Sequence, residues 1–314
     1  NPCSEIILRP NQFCNLSECV VRPDDNFESL QRKVRLATIL GTFQSTLTNF
    51  KYLRKVWKDN TEEERLLGVS LTGIMDNHMM YESKMACREK PLRDILEQLK
   101  ETAIETNKKL SGELNIEQST AITCVKPSGT VSQLVDSASG IHPRFARHYI
   151  RTVRGDIKDP LSQFLIEQGV PNEPLQGQEN STVVFSFPHR SPDNCSTRDE
   201  GTALGQLELW LTYQRHWCEH KPSITVYVKE EEWMEVGAFV YKHFDEMSGV
   251  SFLPYDNGTY RQAPYQECTE EEYNEAVAAM PDIDWSAFKE EEDNTTSSQE
   301  LSCSAGVCEI VDLT

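Results

Sequence analysis

The chain opens with three side chains whose spacing could bring them onto one small ligand. Asn1, Cys3 and Glu5 are each separated by a single residue. In an extended segment, residues two and four positions apart project to the same side. The three would then offer an amide, a thiol and a carboxylate together. A loop thiol with polar neighbours is the alternative that these residues alone favour, so their meaning depends on the rest of the chain.

Two more cysteines, Cys303 and Cys308, lie near the C-terminus with Gly306 between them. The glycine allows the turn that would let the pair close a small ring. The preceding residues 290–301 are acidic and polar, with too little apolar content to pack, and are predicted to form a flexible linker. A tethered dithiol can reach another site and exchange a disulfide with it. Half of a zinc site is the alternative, and it would need two further ligands.

A third set of residues lies where a predicted strand passes into a predicted short helix. It consists of Pro127, Ser128, Gly129, Thr130, Val131 and Ser132. Backbone N–H groups and the helix dipole make such a junction an anion site, Gly129 would let a phosphate approach closely, and three hydroxyls add donors. The Gly-Lys-Ser/Thr of a Walker A loop is missing. An ordinary capped helix start would give the same residues.

The segment around His216, Cys218 and His220 allows two interpretations. On a strand, the three side chains could ligate a metal from one side. At a helix end, the histidines would lie near the negative pole of the helix, and we favour this interpretation. The remaining thiols are interpreted as core or surface residues: Cys19, Cys87, Cys124, Cys195 and Cys268.

Composition excludes several classes of protein. A formal net charge of −19 argues against a nucleic-acid or acidic-membrane partner, and no apolar run approaches the ~20 residues of a membrane span. The ten cysteines are scattered, and no signal peptide opens the chain. We therefore expect a cytoplasmic protein with reduced or redox-active thiols. Because the sequence starts without Met and inside a candidate motif, we also expect it to be part of a longer or split protein.

The elements that must position these residues alternate between helices and strands. Apolar residues from Phe27 to Phe50 recur every three or four positions, which predicts one helix over residues 24–58 with Leu40, Phe43 and Leu47 in its core-facing stripe. Further helices are predicted to begin at Asn60 and to cover 91–110, 203–219, 231–247 and 270–280. Strands are predicted at 68–74, 121–125, 182–187, 224–228 and 250–254. This alternation indicates an α/β fold with a parallel sheet, either half of a larger barrel or an open doubly wound sheet.

Together, the motifs resemble ribonucleotide reductase. The resemblance covers essentially the whole chain: Asn1-x-Cys3-x-Glu5, then Cys14, the 127–132 loop, the segment 136–143 after it, and the C-terminal cysteine pair. It is strongest to the monomeric class II enzymes, which use adenosylcobalamin. Class I enzymes instead receive the radical from a partner subunit through adjacent tyrosines. This chain has no Tyr-Tyr pair, which favours class II, while isolated tyrosines leave class I open.

The resemblance implies a ten-stranded α/β barrel made of two five-stranded halves, of which this chain would be the second. Residues 1–20 would be the finger loop that carries the radical cysteine, and 21–266 the C-terminal half of the barrel. Residues 267–289 would be a helical extension, and 290–314 a flexible redox tail. The N-terminal half would lie outside this chain, so we expect the isolated chain to be inactive.

The resemblance also implies roles for individual residues. Cys3 would carry a thiyl radical, Glu5 would act as general base on the 3′-hydroxyl, and Asn1 would bind the sugar hydroxyls of a ribonucleotide. Cys14 would be one of two reducing thiols, with its partner in the N-terminal half. The 127–132 loop would bind the substrate phosphates.

The tail pair, Cys303 and Cys308, would regenerate the reducing thiols and be reset in turn by a thioredoxin- or glutaredoxin-like donor. A hypothesis of another class is a thiol–disulfide carrier or metal-binding protein that uses only the tail cysteines. It leaves the Asn1-x-Cys3-x-Glu5 motif unexplained.

Overall fold

A computed structural model of the chain describes residues 3–81, 91–255 and 262–289. The helices are α1 (Phe27–Gln44), α2 (Lys55–Glu64), α3 (His78–Tyr81), α4 (Leu92–Leu114), α5 (Gly129–Leu134), α6 (Pro160–Glu167), α7 (Ala203–His216), α8 (Trp233–Lys242) and α9 (Glu270–Ala279). The strands are β1 (Asn15–Val20), β2 (Leu67–Thr72), β3 (Thr123–Cys124), β4 (His148–Asp156), β5 (Asn172–Pro174), β6 (Thr182–Arg190), β7 (Ile224–Val228), β8 (Val250–Pro254) and β9 (Tyr265–Glu267). The mixed α/β class predicted from the sequence is confirmed.

The described residues divide into two compact units. The first lies within Asn1–Arg144 and Asn194–Tyr255, and the second within Phe145–Asp193 and Asp256–Thr314. The boundary predicted at residues 20 and 21 falls at the end of β1, so the last part of the predicted finger loop is a strand. The predicted barrel segment, residues 21–266, contains residues of both units.

The first unit is built on parallel strands. β1, β2 and β3 form one sheet in that order, with Asn15 opposite Leu67 and Val69 opposite Thr123. β7 and β8 form a second parallel pair, and an isolated parallel bridge joins Val125 to Pro222 between the two sets. Because parallel neighbours need a crossover, helices connect these strands and cover them.

Helices α1 and α4 pack on this sheet through apolar faces. α1 begins at a capping box in which the Asn26 side chain accepts from the N–H of Ser29 and the Ser29 hydroxyl accepts from the N–H of Asn26. α4 ends where Asn115 adopts the left-handed conformation with φ of 52°. The residues that these two helices bury include Leu30, Val34, Ala37, Ile95, Leu96, Leu99 and Ala103.

The prediction of one helix over 24–58 is wrong, since α1 ends at Gln44 and α2 starts only at Lys55. The first half of its predicted stripe is confirmed, since Leu30, Val34 and Ala37 are buried, but the second half is wrong because Leu40, Phe43 and Leu47 are exposed. At that end of α1 the inward face carries Thr38, Gly41 and Thr42 instead. The threonine hydroxyls donate to backbone carbonyls one turn earlier. These small polar residues can therefore be buried without leaving a hydroxyl unpaired.

The predicted helix start at Asn60 is wrong as well. Asn60 lies inside α2, which ends when Arg65 takes φ of 43°. The acidic run that follows Asn60 suggested a first turn, whereas it forms the last turn of α2.

The strand predicted at 182–187 exists as β6, but its assignment to a parallel sheet is wrong. β6 pairs antiparallel with β4 and β5, in a sheet of order β5-β6-β4-β9 in the second unit. The sequence interpretation missed β1, β4, β5, β9, α3 and α6. The apolar core of this unit contains Phe164, Leu165, Val170, Val183 and Phe185.

The other predicted elements are confirmed to within a few residues at most of their ends. They are the helices at 91–110, 203–219, 231–247 and 270–280 and the strands at 68–74, 224–228 and 250–254. The strand predicted at 121–125 is shorter, at Thr123–Cys124. Within the described ranges, the longest helices are too polar or too short to cross a bilayer.

Candidate functional site

The segment with Cys3 is a turn anchored on the parallel sheet. Cys3 is half-buried, while Glu5 and Ile6 are fully buried. The backbone N–H of Lys221 donates to the carbonyl of Glu5 at 3.0 Å. A Cβ at Gly68 of β2 would lie only 2.6 Å from Ile6 Cδ1. Because Gly68 has no side chain, Ile6 can pack against β2 and hold the turn in place.

The carboxylate of Glu5 has an unusual environment. Both of its oxygens are buried, and neither has a hydrogen-bond partner among the described residues. Burying a carboxylate without donors is energetically costly, and such groups in proteins are nearly always hydrogen-bonded. The position is therefore suited to a ligand that brings its own O–H or N–H donors.

Cys14 lies directly before β1 and is half-buried. It packs against the small apolar cluster of Ile6, Leu66 and Cys124. Leu16, two residues later, also packs against Gly68. A Cβ at Gly68 would lie 2.5 Å from Leu16 Cδ2. The structure thus brings the Cys3 turn and the start of β1 to the same place on β2.

The predicted phosphate loop begins α5. Ser128 is the residue before this helix and has φ of 52°, the left-handed conformation that is uncommon outside glycine. Gly129 borders open space, since no atom lies within 4 Å of a Cβ built there. Thr130 and Val131 are exposed. This part of the loop is accessible to a ligand.

Two of the three loop hydroxyls are engaged within the protein. The Ser128 hydroxyl donates to Glu18 Oε2 at 2.6 Å, and the buried Ser132 hydroxyl donates to the carbonyl of Gly129 at 3.1 Å. A hydroxyl has only one proton to donate. Thr130 is therefore the loop residue whose hydroxyl is exposed for a phosphate.

The segment after the loop holds it in place. The hydroxyl of Ser139 donates to the carbonyl of Pro127 at 2.5 Å. Gly140 has φ of 57°, and a Cβ there would lie 2.3 Å from the carbonyl oxygen of Lys126, so glycine is required by both conformation and space. A buried ion pair between Arg144 and Asp76, with Nε to Oδ1 at 2.8 Å, fixes the end of the segment.

Glu18 is a site residue that sequence reasoning missed. It lies on β1 opposite Ser70 of β2, and the hydroxyl of Ser70 accepts from the backbone N–H of Lys126 at 2.9 Å. Burial raises the pKa of the Glu18 carboxyl. Hydrogen bonds from the Ser128 and Ser70 side chains and the charge of Lys126 oppose the rise, and the charge of Glu5 adds to it. Its signal in the sequence was weak: a carboxylate four residues after Cys14, in a segment whose residues resemble a loop.

The side chains of His216, Cys218 and His220 do not converge on one point, as the metal-site alternative would require. His216 is the last residue of α7, so the helix-end interpretation is confirmed. Its Nδ1 lies 2.8 Å from Glu97 Oε1, whereas Nε2 of His220 lies 2.7 Å from the carbonyl of Leu67. In the part of the chain that is described, no three metal-ligating side chains come together.

The remaining described cysteines have the structural positions expected. Cys19, Cys124 and Cys195 are buried, and Cys268 is partly exposed. Burial raises the pKa of Cys19 to about 12 and that of Cys124 well above its ordinary value. These thiols therefore have little thiolate character. The predictions for Asn1, Cys87, Cys303 and Cys308 fall outside the described residues.

Known proteins resemble the chain over nearly its whole length. It is 28% identical to an adenosylcobalamin-dependent ribonucleoside-triphosphate reductase of Euglena gracilis, over 98% of this chain and 41% of that protein. A reductase of the same name from Lactobacillus acidophilus is 27% identical, over 99% of this chain and 45% of its own length. The chain therefore spans less than half of these relatives. No protein-family model matches it.

A solved structure shares the fold. The crystal structure of a B12-dependent (class II) ribonucleotide reductase superposes with a TM-score of 0.75 at 23% identity, covering 90% of this chain and 42% of that one. The alpha subunit of the class Id reductase of Actinobacillus ureae gives a TM-score of 0.50 at 14% identity. The resemblance to ribonucleotide reductase found in the motifs is confirmed by these relatives.

Proposed function

We propose that this chain is the C-terminal part of the catalytic chain of a class II ribonucleotide reductase, which reduces ribonucleotides to 2′-deoxyribonucleotides. The observation that carries the proposal is Glu5, which is fully buried, has no hydrogen-bond partner for either carboxylate oxygen among the described residues, and lies two residues from the half-buried Cys3. Relatives at 27% and 28% identity are ribonucleoside-triphosphate reductases, which favours a triphosphate substrate for the complete protein.

We infer that the first unit supplies half of a ten-stranded barrel. β1, β2, β3, β7 and β8 are parallel, and the bridge at Val125 and Pro222 links their two sets. The other half would come from the part of the protein that relatives have beyond the 41–45% matched here. Cys3 and Cys14 would lie in the finger loop and at the start of β1.

In the proposed reaction, a thiyl radical on Cys3 abstracts the 3′ hydrogen of the ribose. Glu5 takes the proton of the 3′-hydroxyl, and its unpartnered oxygens support this role because a general base must be within hydrogen-bond reach. Asn1 would bind the sugar hydroxyls and hold the ring in place.

The 2′-hydroxyl leaves as water. Two thiols, Cys14 and a cysteine of the N-terminal half, would supply two electrons and two protons, one proton for the leaving hydroxyl and one for the new C–H bond at C2′, and become a disulfide. Cys3 returns the hydrogen to C3′ at the end. Cys303 and Cys308 would then exchange with that disulfide, and a thioredoxin- or glutaredoxin-like donor would reduce them in turn.

The 127–132 loop would bind the substrate phosphates through its exposed part. Open space at Gly129 and the exposed hydroxyl of Thr130 support this role. The carboxylate of Glu18 and the hydroxyl of Ser139 hold the loop from beneath and would keep it in place during binding.

Adenosylcobalamin, when bound, would supply the radical. The half-buried position of Cys3 fits this cofactor, since the described residues leave the side chain partly exposed. The names of the relatives favour the cofactor over the radical-generating subunit of a class I enzyme. A cytoplasmic location is proposed from the buried cysteines, which are present as thiols.

The experiment is to express the complete protein that contains this sequence and supply a ribonucleoside triphosphate, adenosylcobalamin and a dithiol, with no second subunit. We expect deoxynucleotide formation by the intact protein and none by Cys3→Ser. The control is Cys268→Ser, which changes a thiol in the second unit and should leave the rate unchanged. Full activity of Cys3→Ser, or a requirement for a partner subunit in place of the cofactor, would overturn the class II proposal.

The alternative of a thiol–disulfide carrier gives a different result. It would leave Cys3→Ser active in disulfide exchange and would show no deoxynucleotide product. The isolated 314-residue chain should also form no deoxynucleotide, because the proposed partner of Cys14 and the proposed other half of the barrel would lie outside it.

A further inference from the structure

Glu18 connects two parts of the proposed active site that are far apart in sequence. It lies on β1, four residues after Cys14. Along this strand Ser17 and Cys19 are buried, whereas Glu18 is half-buried on the opposite face, as the alternation of a strand requires. Its carboxylate therefore does not point to the side on which those two residues are buried.

On that face the carboxylate meets the 127–132 loop. Oε2 accepts from the hydroxyl of Ser128 at 2.6 Å, a short hydrogen bond typical of an ionised acceptor. Next to it, Ser70 accepts from the backbone N–H of Lys126, which lies two residues earlier in the same segment. Two neighbouring strands thus bind the loop at two successive points.

Ser128 needs such a partner because of its backbone. A serine with φ of 52° is held in a conformation that L residues with a side chain rarely adopt, and surrounding contacts must maintain it. The hydrogen bond to Glu18 is the one that the described residues give the Ser128 side chain. The direction of the loop after Ser128 therefore depends on Glu18.

The other carboxylate oxygen of Glu18, Oε1, is buried without a hydrogen-bond partner in the described chain. Glu5 is close enough for its charge to act on Glu18. Glu18→Ala and Ser128→Ala would both break the bond between β1 and the loop, so both are expected to act mainly on nucleotide binding.

We propose that Glu18 is a positioning residue that ties the 127–132 loop to β1 through Ser128 and so fixes the bound nucleotide relative to Cys14. This inference rests on the proposed function of the loop. Ser128 then acts by holding the loop in position, and its hydroxyl is not a phosphate ligand.

The test uses the complete protein with adenosylcobalamin, a ribonucleoside triphosphate and a dithiol. Glu18→Ala should raise KM about tenfold, the loss expected for one hydrogen bond to a charged group, with kcat changed less than about twofold. Glu18→Gln keeps an oxygen acceptor for Ser128 and should restore KM to within about threefold of the unchanged protein.

A double-mutant cycle separates positioning from general damage. Glu18→Ala and Ser128→Ala should be non-additive in KM because they remove the same bond. Ser139→Ala removes an independent anchor at Pro127 and should add to Glu18→Ala. Additive effects of Glu18→Ala with Ser128→Ala, or an unchanged KM in both single variants, would overturn the proposal.

A crystal structure of the Glu18→Ala variant gives a readout that does not depend on activity. Ser128 should leave the left-handed conformation; a Ser128 that keeps φ near 52° without Glu18 would refute the positioning role. If the unchanged protein makes no deoxynucleotide, the proposed function fails, and the Ser128 conformation still decides the role of Glu18. If Glu18→Ala does not fold, Ser128→Ala carries the test, since it must raise KM to the same extent.

Discussion

The first unit, which is built on parallel strands, and the second unit, which contains the antiparallel sheet, bury polar groups in different ways. In the first unit, Glu5, Glu18 and Ser137 have buried side-chain oxygens without a partner among the described residues. In the second unit, Ser191 donates to the carbonyl of Ala146 at 2.7 Å and Gln262 donates to Glu173 at 2.8 Å. Across the described ranges, every buried side-chain nitrogen or oxygen that lacks a hydrogen-bond partner belongs to the first unit.

This difference supports the placement of the proposed site in the first unit. An unpartnered buried polar group lowers stability, and proteins keep such groups mainly where a ligand or a reaction uses them. The second unit instead resembles an ordinary core, in which Phe164 packs on Trp285 and Phe288 with ring centroids 5.7 and 5.3 Å away. Substitutions should therefore affect activity in the first unit and stability in the second.

The largest effect on activity, apart from that of Cys3, is expected from Glu5→Gln. Deoxynucleotide formation by the complete protein should fall by about 10²–10⁴-fold, the usual contribution of a general base. The unfolding free energy should be unchanged or higher, because an amide is less costly to bury without donors than a carboxylate. Glu101→Gln, exposed on α4, is the control and should change neither quantity. A normal rate in Glu5→Gln would remove the main support for the site.

In the second unit, Phe164→Ala should act on stability instead. Removing this buried ring is expected to lower the unfolding free energy by about 3–5 kcal/mol, measured by urea denaturation. KM and kcat at a temperature where the variant remains folded should stay within about twofold. Leu161→Ala, on the same helix but partly exposed, should cost less than about 1 kcal/mol. A specific loss of kcat in Phe164→Ala would contradict the division of roles.

Gly68→Ala tests whether close packing in the first unit serves the site. The new methyl group would lie 2.5–2.6 Å from Leu16 and Ile6, so one or both must move, at a cost of about 1–3 kcal/mol. Activity should fall as well, because Ile6 follows Glu5 directly. Gly112→Ala, where nothing lies within 4 Å, is the matched control and should stabilise α4 by about 0.5–1 kcal/mol. Equal effects of the two substitutions would show that the packing at Gly68 has no special role.

The smallest effect concerns the pH dependence of stability. Burial raises the pKa of Glu18 above about 4.5, so the folded protein holds this proton more tightly than the unfolded chain. The contribution of Glu18 to the unfolding free energy is then fully present below pH 4.5 and decreases as the pH rises through the raised pKa. Glu18→Gln should remove that decrease, as measured by urea denaturation between pH 4.5 and 7. An identical pH profile for both proteins would contradict the raised pKa.

Much of the fold follows from local pattern. The strand at 224–228 and the helix at 91–110 were predicted because apolar periodicity and turn residues agree there. β1 was missed because its buried positions include Asn15 and Ser17, which look like loop residues. β6 was assigned to the wrong sheet, because an apolar run predicts a strand but does not identify its neighbours.

For the site, the amino-acid sequence was enough to name the candidate residues. Cys3, Glu5, Cys14 and the 127–132 loop could be recognised because their types and their order along the chain resemble a known family, whereas Cys3 and its neighbours alone favoured an ordinary loop thiol. The contact between Glu18 and Ser128 could be learned only from the fold, since 110 residues separate them. The fold also shows that Glu5 is buried with no hydrogen-bond donor among the described residues, because burial depends on how distant segments pack and not on neighbouring residues.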